Sequence, residues 1–141
     1  MSFLKQAHRV GCVLLVLVLG GCSPEGPEVV PVEGVATLGG EPVPNLELNF
    51  FPEEGRPSWG VTDAKGRFKL NYTRGQDGAR VGKHRVTVRG GPPASAAEEI
   101  SGRAAESPEV ALLRQKFATA ETTPLVIEIT KPTKSLEVSL D

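Results

Sequence analysis

Cysteine is nearly absent from this chain of 141 residues: Cys12 and Cys22 are the whole supply. Everything after Cys22 must therefore fold without an intramolecular disulfide, on apolar burial alone. Histidine is as scarce, with His8 and His84 only, so a zinc site built from several His and Cys ligands has no material. Aromatic residues make up 5% of the chain, with one Trp and one Tyr, which argues against an extended carbohydrate groove. An excess of charge of one sign is missing too. The formal net charge is −1, and no strong basic field is there to recruit nucleic acid. No apolar run reaches the roughly 20 residues of a bilayer-spanning helix. There is no G-x-S-x-G elbow for a serine nucleophile and no D-x-D-x-D-G calcium loop. Asp63, Asp77 and Glu53 read as turn carboxylates, and His84 as a core residue.

The first residues are informative. Lys5 and Arg9 form a positive start, and Val10 to Leu19 form a short apolar block. A positive start, a short apolar stretch and small residues after it mark a secretory signal. The block ends in Leu19-Gly20-Gly21-Cys22, which resembles the bacterial lipobox: a branched apolar residue, two small ones, then a thiol. By that resemblance the Gly21–Cys22 bond is the cleavage site, Cys22 is acylated, and membrane lipid is the first partner. Each buried methylene contributes about 0.8 kcal/mol, so several acyl chains hold firmly where one does not. Ser23 stands where an Asp would signal inner-membrane retention, which leans the localisation toward an outer membrane. The expected organisation is a signal peptide at 1–21, an extended Pro-rich tether at 22–31 and one domain at 32–141. Without the leader the chain carries 14 basic and 17 acidic residues.

Twelve prolines and sixteen glycines point to turns and short strands. Val32–Leu38 is the first expected strand. Leu46, Leu48 and Phe50 share one face of the second, and Ser58–Thr62 is the third. "DAKG" at 63–66 predicts a hairpin turn, with Asp63 bonding onward along the backbone and Gly66 at positive φ. Phe68, Leu70 and Tyr72 then alternate with polar residues in a fourth strand. A polar loop over 73–82 leads to a fifth, carrying His84, Val86 and Val88. Residues 90–106 are too rich in Ala, Gly, Ser, Pro and Glu to pack, and mobility is expected there. Ser107-Pro108 opens a helix over about 109–117, with Leu112, Leu113 and Phe117 as its buried face. Leu125–Thr130 and Ser135–Leu140 are the last two strands. Trp59 shares parity with Val61, which places it on the inner or edge face. The expected fold is all-β: a seven-stranded Greek-key sandwich of the Ig-like or prealbumin-like kind, with one short helix in a long loop.

"VPVEGVATLGGEPVPNLELNFFP", "GVTDAKGRFKL", "VGKHRVTVRG" and "TTPLVIEIT" together resemble the carboxypeptidase-regulatory-like (transthyretin-like) domains of bacterial lipoproteins, abundant in planctomycetes. The match runs over residues 31–140. Ala36 replaces the usual Val, and His84 the usual Tyr. The motifs are structural: Gly34 for close approach, Gly40 for a turn, Phe68 for the core. The resemblance implies a non-catalytic module without cofactor, for structural or interaction roles at the cell envelope. The second reading is a ligand-binding protein for an envelope glycan or peptide, using Trp59 or the 90–106 loop. An envelope protein or polysaccharide is then the candidate partner, and nucleic acid is not.

Overall fold

The computed structural model describes residues 28–91 and 107–141. Alternation of apolar and polar residues generates most of the strands. β1 (Val29–Val30), β2 (Val32–Leu38), β3 (Glu41–Pro42), β4 (Leu46–Pro52), β5 (Ser58–Val61), β6 (Arg67–Lys69) and β7 (Asn71–Thr73) come first. β8 (Gln76–Asp77), β9 (Ala79–Arg80) and β10 (Gly82–Gly90) follow, then the helix α1 (Pro108–Lys116), β11 (Val126–Ile129) and β12 (Thr133–Ser139). The described residues thus hold one short helix and otherwise strands, arranged as a β-sandwich.

One sheet has the order β11-β10-β4-β5-β7-β8, with antiparallel pairing throughout. The facing sheet has the order β12-β2-β3, and β6 also pairs with β2. β2 and β12 run parallel. Leu46, Leu48, Phe50, Val86 and Val88 from the first sheet meet Val32, Ala36, Phe68 and Val138 from the second in one buried core. Phe50 sits at its centre, with ring centroids 6.1 Å from Phe68 and 6.0 Å from His84.

Gly34 lies where β2 meets β12. The register shifts between Thr133 and Leu136, so β12 bulges there. The Leu136 carbonyl then points at the place where a Cβ of residue 34 would be. Only glycine leaves room for that approach.

Several expectations need correction. The 63–66 turn forms as read: Asp63 Oδ1 accepts the Lys65 and Arg67 N–H groups (2.8 and 2.9 Å), and Gly66 has φ 69°. It does not close a hairpin, because β5 and β6 pair into different sheets. The Ala36 N–H donates to the Gly66 carbonyl (2.9 Å), so the turn docks on β2 and becomes a corner between the sheets. The expected single strand through Phe68–Tyr72 is split at buried Leu70: β6 pairs with β2, and β7 pairs with β5. The 73–82 segment, read as loop, contains β8 and β9. β9 recruits β1 through Val29–Arg80 and Val30–Ala79 pairing, so the folded part includes two residues read as tether. More than seven strand segments result. The predicted helix is present, capped by Ser107, whose Oγ accepts the Val110 N–H (3.2 Å). Its inward face is Leu113 and Phe117, one turn apart, while Leu112 points to solvent with 68% of its surface exposed.

Candidate ligand groove at Trp59

Gly21, Cys22 and residues 92–106 lie outside the described residues, so of the sequence-derived site residues Trp59 is the one with a geometry. It does not face inward. Along β5 the buried residues are Ser58 and Gly60, and Trp59 is 48% exposed on the outer face. The reason is the sheet-switching chain on the other side. A Cβ at Gly60 would come 2.6 Å from the Lys69 carbonyl oxygen and 3.3 Å from Leu70 Cδ2. The inner side of β5 has space for only small residues there, and the large ring must take the outer side.

β4 and β7 hold β5 between them. Asn49 and Asn71 stand opposite Trp59 on either side. The Asn71 amide donates to the Trp59 carbonyl (3.3 Å) and to the Lys69 carbonyl (3.4 Å), which ties the strand carrying the ring to its neighbour. Arg56 and Pro57 lead into β5, and the Thr73-Arg74-Gly75 turn follows β7, with Gly75 at φ 91°. Together with Tyr72 these residues border an open groove of about 590 Å³, within the usual range for small-ligand sites of roughly 300–1,000 Å³.

The electrostatics of the groove are one-sided. Arg56 and Arg74 are exposed, and neither has an ion pair or hydrogen bond to another described residue. Among the described residues no carboxylate lines the groove. The nearby Asp77, opposite Asn71, is held by Lys69 at 2.5 Å. That hydrogen bond and the Asp77 charge raise the Lys69 ammonium above its ordinary pKa.

His84 is buried at the other end of the sheet. Its Nε2 lies 2.7 Å from the Arg80 carbonyl. A carbonyl only accepts, so Nε2 carries the proton and the histidine is spent on a main-chain bond. Its Nδ1 and the Ser58 hydroxyl are buried without a hydrogen-bond partner among the described residues. Asp63 is held below the usual carboxylate range, first by the Arg67 N–H and then by the Lys65 N–H, and so serves its turn. Among the described residues no three His, Cys, Asp or Glu side chains gather as a metal site would require.

Two features escaped the sequence reading. Arg56 and Arg74 are 18 positions apart, and only the β5–β7 pairing brings their segments to one groove; the two arginines flanking turn signals were the available hint. Thr123 is buried, its hydroxyl donating to the Val86 carbonyl (2.7 Å) and accepting the Leu125 N–H (3.2 Å). It clamps the entry to β11 onto β10. A larger groove of about 1000 Å³ at Arg89, Gly91 and Gln115 adjoins the segment outside the described residues. Compared with known proteins, the chain matches no family model, no curated protein and no solved structure.

Proposed function

We propose that this chain is a lipid-anchored, non-catalytic β-sandwich lipoprotein of the bacterial cell envelope, held in the membrane through acylated Cys22. The observation that carries this reading is the Leu19-Gly20-Gly21-Cys22 box, following a positive start and a short apolar block. The engagement of His84 by the Arg80 carbonyl supports a structural use of the one histidine after the leader. The finer fold proposed is a Greek-key sandwich of the carboxypeptidase-regulatory-like type. It is supported by the pairing of β4 with the distant β10 and of β2 with the distant β12. In this reading the anchor supplies location and the sandwich supplies a rigid surface.

A second reading, ligand binding at the envelope, is favoured by the exposure of Trp59 beside two arginines that have no partner among the described residues.

The test is the intact mass of the full chain extracted from membranes, wild type beside Cys22→Ala. The expected result is a mass of residues 22–141 plus acyl groups, lost in the variant. A bare chain with a free thiol would overturn the anchoring.

A further inference from the structure

We propose that the Trp59 groove binds a carboxylated polysaccharide of the uronic-acid kind, with a sugar ring against Trp59 and its carboxylate held by Arg56 or Arg74. This rests on the binding reading of the module and is independent of its anchoring.

Three observations carry it. The first is the stacking surface. A half-exposed indole on a strand paired on both sides is a pre-organised apolar platform with a polar edge. The C–H face of a pyranose ring is its natural complement, and the Tyr72 and Thr73 hydroxyls beside it offer donors and acceptors to sugar hydroxyl groups, with the Asn71 side-chain carbonyl oxygen as a further acceptor.

The second is charge. Two guanidinium groups border the groove without a partner among the described residues, and none of the described residues that line it is an acid. A planar guanidinium matches a carboxylate with two parallel N–H···O bonds. A neutral glycan would leave both cations unanswered.

The third is the shape of the surroundings, which disfavours other polyanions. An acidic peptide gains its affinity from main-chain pairing at a free sheet edge. β5 and β7 are each already paired on both sides, so the groove lies on a face and offers no such edge. Single-stranded nucleic acid needs a series of aromatic platforms and a basic track. Here there is one Trp, and the whole chain has a formal net charge of −1.

Trp59 is the single tryptophan of the chain, so intrinsic fluorescence of the full-length protein in detergent reports this site and no other. Trigalacturonic acid is the probe, with cellotriose as the neutral trisaccharide, hexaglutamate as the acidic peptide and oligothymidylate as the nucleic acid. The expected result is a saturable change in emission with trigalacturonic acid, and binding about tenfold weaker or worse for cellotriose. Raising salt to about 0.5 M should weaken it, since exposed charges are then screened within a few ångströms. Arg56→Gln and Arg74→Gln, both at exposed positions, should each weaken it by about threefold or more. Lys131→Gln, on the connection between β11 and β12, should leave it unchanged. Equal binding of cellotriose, or tighter binding of hexaglutamate or oligothymidylate, would overturn the proposal. So would indifference to both arginine variants, or the absence of any saturable response. None of these results would touch the anchoring read from the mass of Cys22. Cleavage of the trisaccharide would support the site while overturning the non-catalytic reading.

Discussion

Replacing Gly34 by alanine tests the sandwich where β2 and β12 meet. The added Cβ would fall under 3.0 Å from the Leu136 carbonyl oxygen and 2.8 Å from Phe68 Cζ, where ordinary contacts lie at 3.4–4 Å. The ring would need to retreat by about 0.6 Å, and the Leu136 backbone further. Phe68 is buried against Phe50 and has little room to yield. Overpacking of this kind costs about 1–3 kcal/mol. Pushing β12 outward also loosens its bonds to β2, each worth about 1 kcal/mol net. A loss of about 3 kcal/mol is the expected total, a large share of the roughly 5–15 kcal/mol that holds a domain together. Urea unfolding of both proteins, compared at constant m, measures it. Gly39→Ala is the control: its φ is +57° with nothing within 4 Å of a Cβ, so only the left-handed penalty of about 1–2 kcal/mol applies. Adding Phe68→Leu to Gly34→Ala should recover little, since the Leu136 backbone still blocks the methyl group. If Gly34→Ala loses less than the Gly39→Ala control, close approach at the bulge is not what requires glycine there.

Three further outcomes follow from the same geometry. Phe50→Ala should cost about 3–5 kcal/mol by opening a cavity between Phe68 and His84, read as a lower urea midpoint. Thr123→Val keeps the shape but removes a donor to Val86 and an acceptor for Leu125; a loss of about 1–3 kcal/mol is expected, with faster hydrogen exchange at the Leu125 amide as its local signature. Asp63 has a folded pKa below its ordinary value, so its carboxylate adds stability that is fully present above the unfolded pKa and is lost as pH falls through the folded one. Acid titration should therefore destabilise wild type more steeply than Asp63→Asn, and parallel curves would remove the turn from the acid response.

The parts of this fold legible in the sequence are those decided by neighbours along the chain. β2 and β4 follow from strict alternation, the 63–66 turn from Asp63 and Gly66, and the start of α1 from Ser107-Pro108. Close approach at Gly34 was readable as well. What could not be read depends on segments far apart. Phe68, Leu70 and Tyr72 keep one period through the point where the chain changes sheets, so alternation carries no mark of the switch. Parity with Val61 places Trp59 on an inner or edge face, yet Ser58 and Gly60 take the inner face because the Lys69 backbone and Leu70 occupy the space beside Gly60. Val29–Val30 looked like tether until β9 supplied a partner. The same non-local logic hid the groove: Trp59 was visible as a residue, but Arg56 and Arg74 become its neighbours only through strand pairing.

The parallel pairing of β2 with β12 has a mechanical meaning. The chain enters β2 at Val32 and reaches the end of β12 at Ser139, and Thr133 stands beside Val32 while Ser139 stands beside Thr37. A load applied through the residues before Glu28 and resisted at Asp141 pulls these two strands lengthwise past each other. The hydrogen bonds between them then bear the force together rather than opening one after another, as they would in a hairpin peeled from its ends. The short β1–β9 ladder lies ahead of this clamp and would yield first, letting out slack before the core is strained.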